Sequence, residues 1–94
     1  MILVTCKYET KENAVKDLLK EIEELKLLEG FRAQPGNLSF DYYLPIDQDN
    51  VLFLVDTWED DDAFTAHISC EPAKQFGALK EKYIVNTIFN KYEV

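Results

Sequence analysis

The chain has few of the residues that usually mark a cofactor or metal site. Its three glycines, Gly30, Gly36 and Gly77, are scattered, so there is no phosphate-binding loop and no dinucleotide fingerprint. The two cysteines, Cys6 and Cys70, lack the paired spacing of a zinc or redox motif, and we interpret them as free thiols in a reducing compartment. We therefore expect no metal and no organic cofactor.

Long apolar runs and an excess of basic charge are also missing. No run approaches the roughly 18–20 apolar residues that span a bilayer, and the start, MILVTCKYE, turns polar so early that it predicts a strand and not a signal peptide. Eighteen acidic against ten basic side chains give a net charge of −8, which repels a nucleic-acid backbone. We expect a cytoplasmic protein that binds neither nucleic acid nor membranes.

What the chain does contain is apolar and aromatic side chains. They make up 47% and 13% of the 94 residues, which is a high share for a chain that forms one domain over residues 1–94. This composition favours a surface reserved for a partner subunit in addition to a core.

The first third of the chain predicts a strand and a helix. Apolar side chains alternate from Ile2, and they then recur at three- and four-residue steps from Ala14 to Leu28, the spacings of a strand and of an amphipathic helix. Thr10 is the predicted cap at the start of this helix. Gly30 is predicted to end it in a left-handed conformation.

The rest of the chain predicts three strands and a second helical region. Pro35-Gly36 suits a type II turn. Asp60, Asp61 and Asp62 are predicted to open a helix, where carboxylates can cap N–H groups and suit the positive end of the helix dipole. Pro72 fits the first turn of a further helical segment. The predicted strands run over 37–44, 51–58 and 83–94.

This order, β-α-β-β-α-β, is the ferredoxin-like arrangement of the α+β class, with helices on one face of a four-stranded antiparallel sheet. The opposite face would carry too many apolar residues for a solvated surface. The sequence alone leaves open which face would line a pocket.

Several motifs between residues 32 and 76 resemble the antibiotic biosynthesis monooxygenase (ABM) family. They are PGNLSF at the second strand, D-T-W-E at the end of the third, D-D-A-F-T-A-H on the following helix, and K-Q-F after it. The resemblance implies a homodimer of the dimeric α+β barrel type, in which two sheets pack face to face. It also implies a cofactor-independent monooxygenase, quinol monooxygenase-like, that uses O₂ on a small electron-rich aromatic such as a quinol or anthrone.

The resemblance and the helix positions together select the candidate site residues. His67, the only histidine, is the candidate catalytic residue, as a base or a hydrogen-bond donor. The candidate substrate-binding residues are Trp58 as a pocket wall, Phe64, Tyr42 and Asp56, the last standing where the family usually has glutamate. Each also has a structural interpretation, since a tryptophan at a strand end commonly packs and a tyrosine is a good strand former.

The chain departs from the family at one point. The second histidine that many members carry shortly after the first is replaced in Ser69-Cys70-Glu71-Pro72-Ala73, and the residue set of the haem-degrading branch is not found. Two other functions stay open on the same scaffold. One is an isomerase of a small carbonyl compound, and the other is a ligand-binding dimer without turnover.

Overall fold

Four antiparallel strands form one sheet, and four helices cover one of its faces. The computed structural model describes all residues, 1–94. The elements are β1 Ile2–Thr10, α1 Val15–Glu24, α2 Leu27–Arg32, β2 Asn37–Tyr43, β3 Val51–Trp58, α3 Asp61–His67, α4 Glu71–Tyr83 and β4 Ile84–Glu93. The strand order is β2-β3-β1-β4, so β1 and β3 are central. The α+β ferredoxin-like prediction is confirmed, with each predicted helical region divided into two helices.

The period-two pattern of β1 and β3 separates the two faces of the sheet. Ile2, Val4, Cys6 and Tyr8 on β1 are buried, while the residues between them are half-buried. We call the face that carries these buried residues the inner face, since the helices pack on it, and the opposite face the outer face. The apolar core lies between the inner face and the helices.

The first helical region breaks where the sequence predicted continuity. The stripe from Ala14 to Leu28 is interrupted at Lys26, whose φ of 53° is left-handed. This break redirects the chain so that Leu27 and Phe31, both on α2, enter the core. A single straight helix would have carried them away from the sheet.

Two predicted helix ends are wrong. Thr10 belongs to β1, and its hydroxyl donates to the Lys11 carbonyl instead of capping α1. Gly30 lies within α2 and does not end a helix; a Cβ there would come within 2.8 Å of Cγ of Pro72. Gly30 therefore allows α2 to approach α4 closely, a tertiary requirement that its position after an apolar stripe did not reveal.

The edge strand β2 differs from its prediction at both ends. Its pairing with β3 shifts between Asn37 and Ser39, so Leu38 occupies a bulge and is exposed instead of sharing the face of Phe40. The strand ends at Tyr43, one residue early. The third strand has its predicted bounds, and Asp60 caps α3 as predicted, with Oδ1 accepting from the Ala63 N–H at 2.8 Å.

None of the four helices has the length and apolar run needed to cross a membrane.

The turn before β2 generates a stability prediction. Gly36 has φ 82°, and a Cβ there would lie 2.5 Å from Cβ of Ala63. Gly36→Ala should lower the free energy of unfolding by roughly 2 kcal/mol or more, because the change combines backbone strain with a clash. Urea unfolding at neutral pH measures the change.

Gly77→Ala is the matched control, since Gly77 lies within α4 and a Cβ there meets nothing within 4 Å. This substitution should be neutral or stabilise by up to about 1 kcal/mol through helix propensity. Equal effects of the two substitutions would contradict the account of the turn.

Candidate functional site

Asp56 is a carboxylic acid in the middle of the inner face of the sheet. On β3 it pairs with Val4 of β1 and with Phe40 of β2, and its side chain is only 1% exposed. Since residues two apart on a strand share a face, Trp58 lies beside it. The alternation of β3 therefore places one ionisable group in an otherwise apolar layer.

One hydrogen bond holds this carboxyl group. Trp58 Nε1–H donates to Asp56 Oδ2 at 2.7 Å, whereas Oδ1, also buried, has no partner within the chain. Burial raises the pKa of Asp56 to about 6, against the opposing effect of the Trp58 hydrogen bond. Such a carboxylate is a better base than an exposed aspartate, and it remains mostly ionised at pH 7.

His67, the last residue of α3, packs in an aromatic cluster above this carboxyl group. Its ring stacks on Trp58 with centroids 4.5 Å apart, and it forms T-shaped contacts with Phe31 and Phe40, whose ring centroids lie 5.2 and 5.8 Å from its own. Burial lowers the pKa of His67 to about 4. The imidazole is therefore neutral at pH 7 and can offer one N–H donor and one acceptor. Its Nδ1 lies 4.0 Å from Cys70 Sγ.

A cavity of about 280 Å³ separates the inner face from α3 and α4. Asp56 and His67 both line it, and seven of its eleven lining residues are hydrophobic. Ligand sites commonly combine an apolar wall with a few polar groups, and their volumes start at about 300 Å³. With about 280 Å³, this cavity lies near the lower end of that range and fits a small aromatic compound.

The structure brings three of the five sequence-predicted residues to this cavity, namely His67, Asp56 and Phe64. Trp58 and Tyr42 do not line it. Trp58 is fully buried beneath His67. The Tyr42 hydroxyl is buried without a partner, and burial raises its pKa.

Sequence reasoning did not select the eight other residues that line the cavity, among them Cys6, Tyr8, Lys80 and Phe89. The alternation of β1 already placed Cys6 and Tyr8 on one face, so this pattern was the available signal. Phe89 shares their face because β4 pairs it with Cys6. Nothing in the sequence pointed to Lys80, whose position depends on how α4 packs across the sheet.

The largest concavity of the surface, about 460 Å³, lies elsewhere and has a different character. It is open and polar, with Val15 as its one hydrophobic residue among acidic and amide side chains such as Glu12 and Asp49. It contains none of the predicted site residues. No group of three or more His, Cys, Asp or Glu side chains is placed to hold a metal ion.

Residues 1–79 match the model of the antibiotic biosynthesis monooxygenase family, and the chain belongs to that family. Solved structures of similar fold include a conserved protein from Methanosarcina mazei, with a TM-score of 0.88, 20% identity, and coverage of 98% of this chain and 90% of that one. A protein from Pseudomonas aeruginosa has a TM-score of 0.87 at 18% identity, covering 99% and 92% of the two chains.

A third structure is described as an antibiotic biosynthesis monooxygenase and aligns with a TM-score of 0.87 at 19% identity, covering 100% of this chain and 98% of that one. At such identities the likeness establishes the fold. No curated protein sequence matches the chain.

The raised pKa of Asp56 predicts how stability changes with pH. The pKa of this carboxyl is about 6 in the folded chain against an ordinary value of 3.8, so folding disfavours its ionised form. The protonated carboxyl therefore stabilises the folded chain relative to the ionised one. This contribution is fully present below pH 3.8 and is lost as the pH rises through 6. Asp56→Asn should therefore match the wild type near pH 4 and be more stable by roughly 1–3 kcal/mol at pH 7.5.

Urea unfolding of both proteins across this pH range measures the difference in their free energies of unfolding. The contribution of His67 to the pH dependence cancels in this difference, because both proteins contain His67. Asp47→Asn, in an exposed loop, serves as the control and should show no such trend. If the free energies of unfolding of the wild type and Asp56→Asn differed by the same amount at every pH, the raised pKa of Asp56 would be contradicted.

Proposed function

We propose that this protein is a cofactor-independent monooxygenase in which Asp56 removes a proton from a small electron-rich aromatic, such as a quinol or an anthrone. The observation that carries the proposal is the unpartnered, buried Oδ1 of Asp56 in a mostly apolar cavity that His67 also lines. Family membership supports the reaction class.

The opposite pKa shifts of Asp56 and His67 suit these two residues to different roles. With its pKa near 6, Asp56 is the stronger base, because burial makes His67 reluctant to take a proton. His67 therefore acts as a neutral donor that orients a substrate oxygen, which was one of its two predicted roles. Trp58 positions both residues, through its hydrogen bond to Asp56 and its stacking on His67.

An anthrone illustrates the balance of the reaction. Asp56 accepts a proton from the CH₂ group, and the carbanion transfers one electron to O₂. The radical and superoxide combine into a peroxide, which takes the proton back from Asp56. Loss of water then leaves a carbonyl, so that CH₂ and O₂ become C=O and H₂O. The apolar walls bring the reactants together and exclude bulk water.

Oxygen uptake by the purified protein tests this function. With a panel of hydroquinones and anthrones, uptake should exceed the spontaneous rate, and kcat/KM should rise with pH through an apparent pKa near 6. Asp56→Asn should lower kcat/KM by about 100-fold or more, the usual contribution of a general base. His67→Ala should cause a smaller loss, and His67→Gln, which keeps an N–H donor, a smaller loss still.

Ser69→Ala is the matched control, since Ser69 is exposed just beyond α3 and does not line the cavity. Full activity in Asp56→Asn would overturn the assignment of the base. Proton exchange on a small carbonyl compound without oxygen would instead favour an isomerase. Ligand binding with no turnover of either kind would favour a binding protein.

We also propose that the protein forms a homodimer through the outer face of its sheet. The register aligns Tyr43, Phe53, Lys7 and Ile88 in one row across this face, and Leu3 and Tyr92 are paired in another. Tyr43, Ile88 and Tyr92 are each more than 40% exposed in the single chain. A face of this kind, opposite a covered inner face, is typical of an interaction surface.

Sedimentation equilibrium tests the dimer. The wild type should have about twice the 10.9 kDa mass of the chain, and Val55→Glu, in the centre of the outer face, should reduce this value to that of the monomer. Leu25→Glu places the same charge on an exposed position in the turn between α1 and α2 and should leave the mass unchanged. A wild-type monomer, or a dimer that tolerates Val55→Glu, would contradict the proposed interface.

A further inference from the structure

Lys80 is the only basic side chain that lines the cavity. It lies half-buried near the end of α4 and forms no ion pair. Lys20, Lys82 and Lys91 each pair with a carboxylate in this acidic chain. Lys80 therefore keeps its charge available on the wall of the cavity.

The neighbours of Lys80 leave its hydrogen-bond donors free. Its Nζ lies 5.8 Å from the centroid of the Tyr8 ring, near the outer limit of about 6 Å for a cation–π contact. None of its three N–H donors reaches an acceptor of the chain within hydrogen-bond distance. A half-buried ammonium with free donors can bind an anionic group more tightly than a fully exposed one.

The fold separates Lys80 from Asp56 along the cavity. Lys80 lies over Tyr8, whereas Asp56 pairs with Val4, and the Cα atoms of Val4 and Tyr8, four positions apart on β1, are separated by about 13 Å. Lys80 and Asp56 therefore reach the mostly apolar cavity from different positions along β1. An elongated compound with unlike groups at its two ends would match this arrangement.

We propose that Lys80 determines specificity by binding an anionic substituent, such as a carboxylate, on a substrate whose acidic O–H or C–H group faces Asp56. The proposal rests on the proposed function for the role of Asp56, and it narrows the substrate class to anionic aromatics. The net charge of −8 would otherwise repel such compounds, so a local cation is required to hold them.

Isothermal titration calorimetry with three naphthols tests the inference without turnover. The first probe, 6-hydroxy-2-naphthoate, carries its hydroxyl and carboxylate on different rings. The second is its uncharged methyl ester, and the third is the isomer with the two groups on adjacent carbons. The first probe should bind about tenfold more tightly than either of the others, and its advantage over the ester should shrink as ionic strength rises.

Two variants of α4 complete the test. Lys80→Met keeps the length of the side chain and should abolish the preference for the carboxylate over the ester, whereas Lys80→Arg should retain most of it. Lys74→Met removes an exposed lysine from the same helix and should have no effect. Urea unfolding of each variant verifies that the fold is intact.

The outcomes separate this inference from the proposed function. Selective binding of the carboxylate that depends on Lys80, together with no oxygen uptake, would support the anion site and contradict the monooxygenase. Oxygen uptake that shows no preference for carboxylate-bearing substrates, and that Lys80→Met leaves unchanged with such substrates, would overturn the anion site and support the monooxygenase. Equal binding of acid and ester, or binding of neither, would also overturn the anion site.

Discussion

The hydrogen bond from Trp58 Nε1 to Asp56 Oδ2 is the interaction on which the site depends. A buried carboxylate costs several kcal/mol unless its oxygens are satisfied, and this bond satisfies one of the two. It also fixes the indole ring against which the imidazole of His67 stacks. A single contact between residues two apart on β3 therefore sets the positions of two polar groups of the cavity, Asp56 and His67.

The aromatic cluster around this bond shifts the two ionisable groups in opposite directions. Removal of water disfavours the charged form of each group, so the pKa of Asp56 rises to about 6 and the pKa of His67 falls to about 4. At neutral pH the pair is thus a carboxylate of increased basicity beside a neutral imidazole. The same apolar surroundings that make the core stable thus produce the pair of pKa shifts that the proposed reaction requires.

Local patterns in the sequence predicted most of the fold, and packing between distant segments accounts for the errors. The alternation in β1, the bounds of β3 and the cap at Asp60 depend on neighbouring residues, and all three were predictable. The break at Lys26 and the close approach at Gly30 depend instead on how α2 meets the sheet and α4. No pattern within α1 or α2 contains that information.

The site was predicted to a similar extent and for the same reason. The helical position of His67 and the strand positions of Asp56 and Trp58 selected residues that the fold brings together. The sequence did not distinguish residues that line the cavity from residues that pack behind them. Trp58 and Tyr42 were therefore predicted to contact substrate, although neither lines the cavity. Lys80 was missed because its place beside Tyr8 arises from the crossing of α4 over β1, and 60 residues of chain separate these two elements.

The most direct test of this account is an NMR titration of the Asp56 side chain, with the carboxyl carbon labelled with ¹³C and its resonance assigned from the Asp56→Asn spectrum. We expect the resonance to titrate with a pKa near 6 in the wild type. In Trp58→Phe the pKa should be higher, because this variant lacks the hydrogen bond that favours the ionised form. A wild-type pKa near or below 3.8, the ordinary value, would contradict the account, since Asp56 would then be no better a base than an exposed aspartate.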